Sequence, residues 1–226
     1  MDEEPVFDSG YYLNERPEVL ALVPTGARFA VDVGCGAGRL GQALKAARPD
    51  IEVRGVELVA SQAQLAMRVL DDVFIGSAEE PLPSHWPQPD CVIFADVLEH
   101  LVDPWSLVRR YRGVLRSGGT CIASIPNVSN HEILLGLLRH RWDYSSHGLL
   151  DRTHLRFFTR DTAIELFETA GFSVRSVQRV LQIGRGAPGR WLRNLIDKER
   201  GRDRLYPPPL SNLIDAWTVQ FLLVAS

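Results

Sequence analysis

The sequence predicts an α/β fold in which a mainly parallel sheet carries helices on both faces. Short apolar, strand-like runs alternate with segments of helical periodicity along most of the chain. The run Val31-Asp32-Val33 passes straight into the alternate glycines Gly34, Gly36 and Gly38 and then into a helical pattern, which is the form of a ligand-binding strand–turn–helix. At 226 residues, 45% hydrophobic and 23% charged, the chain suits one soluble domain with a full core. Residues 1–226 are therefore expected to form a single domain.

The elements follow in order. Strands are predicted over Phe29–Gly34, Glu52–Glu57, Val73–Ile75, Cys91–Asp96, Thr120–Ser124, Phe172–Leu181 and Thr218–Ala225. Helices are predicted over Pro17–Val23, Gly38–Ala47, Ser61–Val69, Pro104–Leu115 and Arg160–Ala170. In the second helix Leu40, Ala43, Leu44 and Ala47 fall on one face. Ser117-Gly118-Gly119 stops a helix, Thr159 is an N-cap, and Gly171 ends the helix that Thr159 begins. Two segments break the alternation: 127–158, read as a lid over an acceptor, and 184–209, an arginine-rich insertion before the last strand.

Composition excludes several classes. A net charge of −3 argues against a general nucleic-acid binder. Lys45 and Lys198 are the only lysines, a bias of composition without functional content. Cys35, Cys91 and Cys121 are odd in number and lack metal-ligand spacing, as in a protein with reduced thiols. The acidic start Met1-Asp2-Glu3-Glu4-Pro5 lacks the apolar core of a secretory signal. No apolar run reaches the ~20 residues that span a bilayer. A cytoplasmic location without stable membrane insertion is expected; the oligomeric state is open.

Glycines without a Cβ let the turn after Val33 tighten and let a ligand approach its backbone. The ligand is first ambiguous. Gly36-Ala37-Gly38-Arg39-Leu40-Gly41 matches G-x-G-x-x-G, and Glu57 follows about 20 residues on, as a dinucleotide's ribose acid does. Asp32 decides against that reading. A carboxylate at the mouth of the turn repels a pyrophosphate and suits a phosphate-free ligand with a cationic amine, and such charge terms reach ~4 kcal/mol at close range.

Asp32-Val33-Gly34-Cys35-Gly36-Ala37-Gly38 resembles motif I of the class I S-adenosylmethionine-dependent methyltransferases. Further blocks follow at the expected intervals: Gly55-Val56-Glu57-Leu58, Ile75-Gly76-Ser77-Ala78-Glu79-Glu80 and Leu115-Arg116-Ser117-Gly118-Gly119. Pro89 to Leu101, containing Ala95-Asp96-Val97-Leu98-Glu99-His100, is similar to the fourth-strand block of the ubiquinone-type O-methyltransferases. The resemblance covers about residues 10 to 180. It implies a Rossmann-like, seven-stranded sheet and S-adenosylmethionine as cofactor. It further implies that Asp32, Gly34, Cys35, Gly36 and Gly38 line the methionine pocket and that Glu57, with Leu58, holds the ribose. Ser77, Ala78, Asp96 and Val97 would then border the adenine or sulfonium. Ser77 departs from the family's usual aspartate and removes one acceptor for the adenine amine.

The segment after Ser124 is similar to bacterial methyltransferases met in cell-surface polysaccharide and secondary-metabolite gene neighbourhoods. The likeness rests on Arg141-Trp142-Asp143-Tyr144 and on Gly148-Leu149-Leu150-Asp151-Arg152-Thr153-His154-Leu155-Arg156-Phe157-Phe158-Thr159. It implies a small-molecule acceptor, a sugar or phenolic hydroxyl. An alcohol must lose its proton as the methyl is transferred, and histidine is the side chain suited to accept it near neutral pH. His154 is the first candidate base, then His100 and His131. His147, Asp151 and His154 are residues of a type that binds a divalent metal; with no further ligand evident, no metal is expected. Tyr11 and Tyr12 are candidates for a cap over the site. Arg185–Arg204, with Trp191, Leu192, Leu195 and Ile196 on one side, reads as a solvated helix face, the alternative being contact with an anionic acceptor or a membrane surface. The rivals are a methyltransferase-like domain that binds without catalysis, which Ser77 favours, and a nicotinamide-dependent oxidoreductase.

Overall fold

The computed structural model describes residues 16–181 and 215–226. Tyr11, Tyr12, the 184–209 insertion and the Arg185–Arg204 face lie outside the described residues. Seven strands form one sheet in the order β3-β2-β1-β4-β5-β7-β6. They are β1 (Phe29–Val33), β2 (Glu52–Glu57), β3 (Asp72–Ile75), β4 (Cys91–Ala95), β5 (Thr120–Pro126), β6 (Val174–Leu181) and β7 (Thr218–Ala225). The helices are α1 (Pro17–Leu20), α2 (Arg39–Ala47), α3 (Ala60–Ala66), α4 (Pro104–Val114), α5 (His131–Leu138) and α6 (Arg160–Thr169). The described residues group into two compact units, 16–95 with 113–122, and 96–112 with 123–181 and 215–226.

In the first unit β1 runs parallel between β2 and β4, with Val33 in register with Val56 on one side and Phe94 on the other. Every residue of β1 is buried, as a strand covered on both faces requires, and this explains its apolar run. Chain order reverses beside β1: β2 and β3 lie to one side and β4 to the other. Such a switch point opens a crevice beyond the carboxyl ends of the strands. The turn out of β1 has Gly34, Gly36 and Gly38 all in the left-handed region, at φ 70°, 53° and 77°. At Gly38 the constraint is double, because a Cβ there would also stand 2.9 Å from Val69 Cγ2. Gly38 N–H donates to Cys35 carbonyl at 2.8 Å and closes the turn into α2.

In the second unit β6 and β7 pair antiparallel, with Val177 opposite Leu223 and Arg179 opposite Phe221. Asn127 and Asn130, both fully buried, tie the approach to β7: Asn127 Nδ2 donates to Asp215 and Thr218 carbonyls at 2.7 and 2.9 Å, and Asn130 Nδ2 to Thr218 at 3.0 Å. Thr159 and Thr162 form a reciprocal capping box at the start of α6.

Several boundaries differ from expectation for identifiable reasons. The helix expected over Pro17–Val23 keeps α-helical form only to Leu20, then tightens into i+3 bonds from Leu22 and Val23 ahead of Pro24. The strand expected to stop at Ser124 runs to Pro126, and Asn127 N–H still donates to Val219 carbonyl at 2.9 Å. The strand expected from Phe172 begins at Val174, because Phe172 N–H turns back to Phe167 carbonyl at 3.1 Å to finish α6. The 127–158 interruption also contains a helix the sequence reading left out. In α5 Asn130 caps Glu132 N–H at 3.0 Å; its apolar residues Ile133, Leu134, Leu135, Leu137 and Leu138 run almost unbroken and so show no helical period, and only Ile133 is buried.

Two helical glycines give opposite expectations. Gly41→Ala in α2 would set a Cβ 2.5 Å from Leu70 Cδ2, and overpacking of about 1–3 kcal/mol outweighs the ~1 kcal/mol of helix propensity gained. Gly113→Ala in α4 meets nothing within 4 Å and gains the propensity alone. Thermal denaturation is expected to show a lower Tm for the first and an equal or higher Tm for the second.

Candidate active site

In the first unit two acids stand at the carboxyl ends of neighbouring parallel strands. Asp32, next to last in β1, is 2% exposed, and its Oδ2 has no hydrogen-bond partner among the described residues. Burial first, and the nearby Glu57 second, push its pKa up to about 7, with Arg16 pulling the other way. Glu57 ends β2, and its carboxylate is divided between two backbone donors: Oε2 accepts from Gly36 N–H and Oε1 from Val59 N–H, both at 2.8 Å. Glu57 thereby pins the glycine turn to the exit of β2. Each oxygen keeps further acceptor capacity, which is what a pair of ribose hydroxyls requires.

The other residues of the first unit fall around this pair. Leu58 is 70% exposed and Ile75 is 42% exposed, an uncovered apolar edge beside Glu57 of the kind an adenine ring covers. Ser77 and Ala78 are half-buried in the turn after β3. Ser77 Oγ accepts from Glu79 N–H at 3.1 Å and its N–H reaches Glu80 Oε1 at 3.0 Å, so its hydroxyl proton is left to donate. Cys35 turns its side chain inward: a Cβ on Gly55 would lie 2.4 Å from its Sγ. Burial pushes this thiol far up, and with the side chain turned inward only the main chain of Cys35 is left to the turn. An orphaned buried carboxylate oxygen, a glycine cradle at the N-terminus of α2 and an acid at the ribose position fit S-adenosylmethionine, whose amine, carboxylate and diol match them in turn.

A second constellation lies in the second unit. Asp96 follows β4 directly with φ 56°, and its Oδ1 accepts from Ser124 Oγ at 3.0 Å and Gln220 Nε2 at 2.8 Å. Val97, half-buried, leads into a 3₁₀ turn over Leu98–His100. Glu99 is 1% exposed, and its carbonyl accepts from Leu155 and Arg156 N–H at 2.8 and 2.9 Å. Those main-chain bonds bring the segment after Thr153 onto the turn. His154, 8% exposed, places Nε2 3.9 Å from Glu99 Oε1, and its ring meets that of His100 edge-on at 4.8 Å. Both imidazoles hold their Nδ1 toward backbone: His154 to Leu149 carbonyl at 3.3 Å, His100 to Thr153 carbonyl at 3.3 Å. Burial lowers the pKa of both, so each is a neutral imidazole at pH 7.

The structure thus brings together two of the three histidines expected from sequence. His131 lies elsewhere: it opens α5, its Nδ1 is 3.1 Å from Ala216 carbonyl, and its ring stacks at 4.1 Å on Trp217. The grouping of His147, Asp151 and His154 does not form either. Asp151 Oδ1 accepts from Thr153 N–H and Oγ1 at 2.8 and 2.7 Å, and His147 is exposed. Glu99, which joins the two histidines in this cluster, is not singled out by residue type in the sequence, although it sits inside the fourth-strand block. Its signal was the Glu99-His100 pair one turn beyond a strand end.

A family profile described as a methyltransferase domain matches residues 15–177. The chain belongs to the methyltransferase-domain family. It is a class I S-adenosylmethionine-dependent methyltransferase, and the seven-stranded sheet with its one antiparallel hairpin is the fold of that class. It is 28% identical over 208 residues to a ubiquinone biosynthesis O-methyltransferase of Marinobacter nauticus, covering 82% of each chain. An S-adenosylmethionine-dependent methyltransferase of Thermotoga maritima shares the fold with a TM-score of 0.63 at 21% identity, over 95% of this chain and 88% of that one. An O-methyltransferase from neocarzinostatin biosynthesis, solved with S-adenosylhomocysteine and 1,4-dihydroxy-2-naphthoic acid, matches 91% of this chain and 50% of its own with a TM-score of 0.56 at 19% identity.

Asp32 gives donor binding a pH dependence with a definite sign. Its pKa of about 7 means the free protein holds a proton there at lower pH, whereas a cationic amine needs the carboxylate. Calorimetric affinity for S-adenosylhomocysteine is expected to fall by about tenfold per unit as pH drops below 7, and to level off above it. Asp32→Asn is expected to bind more weakly and to lose this slope. Glu57→Ala is expected to weaken binding by more than tenfold; unchanged affinity would remove Glu57 from the ribose.

Proposed function

We propose that this methyltransferase, folded as one domain over 1–226 and working in the cytoplasm, moves the donor methyl to a hydroxyl oxygen of a small molecule, a sugar or a phenol. The observation that carries the reading is the pair of neutral imidazoles, the buried His154 and the half-buried His100, packed beside Glu99. A neutral amine or a thiolate attacks through a free lone pair and needs no such base, whereas a hydroxyl acceptor does. The likeness to a ubiquinone biosynthesis O-methyltransferase supports an oxygen acceptor, and the net charge of −3 favours a small molecule over a nucleic acid. Among the described residues no helix is long and apolar enough to cross a membrane.

The reaction in this reading is an in-line displacement. The acceptor O–H gives its proton to His154 Nε2, the oxygen forms a bond to the methyl carbon, and the C–S bond breaks with its electrons going to sulfur. The sulfonium becomes the neutral thioether of S-adenosylhomocysteine. Asp32, Gly34, Gly36 and Gly38 hold the methionine part, Glu57 the ribose, and Leu58, Ser77 and Ala78 the adenine. Asp96 and Val97 border the sulfonium. Because the donor is already activated, alignment supplies ~7–11 kcal/mol and the base ~10²–10⁴ in rate.

The test is mass spectrometry of products from S-adenosylmethionine and a panel of sugars, phenols, amines and thiols. O-methyl products are expected, with His154→Ala lowering kcat by about 10²–10⁴ while the affinity for S-adenosylhomocysteine stays within twofold. Exclusive N- or S-methylation, or a full kcat in His154→Ala, would refute the assignment.

A further inference from the structure

The cluster of Glu99, His100 and His154 has a second property that a base alone does not need. One ligand atom from each of the three lies within 4.8 Å of the others. Glu99 and His154 are buried and His100 is half-buried, so the three groups converge in the protein interior. Glu99 Oε1 and His154 Nε2 stand 3.9 Å apart, beyond hydrogen-bond distance and close to the separation of two atoms bound to one ion. We propose that Glu99, His100 and His154 form a binding site for a single divalent first-row transition-metal ion.

The surroundings of the imidazoles support this more strongly than their convergence. A metal-bound histidine donates its second ring N–H to a carbonyl or carboxylate, which fixes the tautomer and aims the other nitrogen at the ion. Both histidines here are held that way. His154 Nδ1 faces Leu149 carbonyl at 3.3 Å and His100 Nδ1 faces Thr153 carbonyl at 3.3 Å, which leaves Nε2 as the basic nitrogen of each. His100 Nδ1 also lies 3.1 Å from Thr153 Oγ1, whose proton goes to Asp151 Oδ1 at 2.7 Å. Asp151 is 6% exposed, so a buried carboxylate stands behind the second ligand through one hydroxyl.

The donor set selects the ion. Two imidazole nitrogens and one carboxylate suit zinc, iron, cobalt or manganese and disfavour calcium or magnesium, which prefer all-oxygen sites. Bonds of about 2.0–2.2 Å draw the ligands in by about 1 Å from their present spacing. Three protein ligands leave a coordination position for a further oxygen, as catalytic sites do. The role of the ion, unlike its binding, rests on the oxygen-acceptor reading. An ion held by Glu99, His100 and His154 would supply Lewis acidity there, lowering the pKa of an acceptor hydroxyl so that its proton could pass to solvent water before the oxygen takes the methyl group. In this form the histidines act as ligands and the metal replaces them as the means of deprotonation.

Untagged full-length protein, stripped with a chelator, is titrated with Co²⁺ and followed by its visible d–d absorption, with Zn²⁺ as competitor in calorimetry. Binding of one ion per chain is expected, weakened at least tenfold in Glu99→Gln and in His154→Ala and unchanged in His147→Ala. Thr153→Val, which removes only the hydroxyl behind His100, is expected to bind about tenfold more weakly while keeping its Tm and its affinity for S-adenosylhomocysteine. Absence of stoichiometric binding, or binding equal in all variants, overturns the site and leaves the acceptor assay above unaffected. Methyl transfer that survives chelation at full rate overturns the ion's part in the reaction and returns deprotonation to His154 alone.

Discussion

The donor half of the molecule depends on the carboxylate of Glu57. Its two oxygens accept from Gly36 and Val59 N–H at 2.8 Å each, so a single side chain fixes both the glycine turn and the exit of β2. Without it two main-chain donors at a buried site would lack partners, at about 1–3 kcal/mol each. The same arrangement explains Asp32. A second acid buried beside Glu57 is costly to ionise, and its pKa rises to about 7. The turn thus sets the polarity of its ligand. It presents acceptors and latent negative charge where a pyrophosphate-binding turn presents donors alone.

The second unit builds its chemistry by another route, from main-chain bonds that leave side chains in place to act. The carbonyl of Glu99 receives Leu155 and Arg156 N–H, and this brings His154 to the ring of His100. The carbonyls of Leu149 and Thr153 then orient the two rings. Asp96 at φ 56° lies in the left-handed region, tolerable for aspartate and held by Ser124 and Gln220. Such strain is kept where surrounding bonds over-determine it.

His131 illustrates why residue type alone is a weak guide to role. As a histidine just beyond β5 it had the same standing as His100 in the sequence. In the structure its ring lies on Trp217 and its Nδ1 faces Ala216 carbonyl, so its partners are those of a packing residue at the first turn of α5. Cys35 is similar. It stands within the glycine motif, and its sulfur fills the space that Gly55 leaves open on β2, which leaves the turn its main chain.

The sequence by itself determined the alternation of strands and helices, the glycine turn after β1 and the acids Asp32 and Glu57. Those features depend on neighbours a few residues apart and on charge at a strand end. It also held the blocks that mark the methyltransferase family, because they are contiguous. Only the tertiary structure decided that Glu99 and His100 meet His154, more than fifty residues later in the chain. It likewise decided that Asp151 serves Thr153 and not a metal, and that α5 forms with a single buried residue. The physical reason is range. Local backbone preference writes itself into adjacent residues, whereas a cluster held by main-chain bonds between distant segments leaves no periodicity to read. Protonation follows the same division: the sequence named Asp32, His100 and His154, but burial, which exists only once the chain has folded, raises the pKa of the acid and lowers those of the two imidazoles.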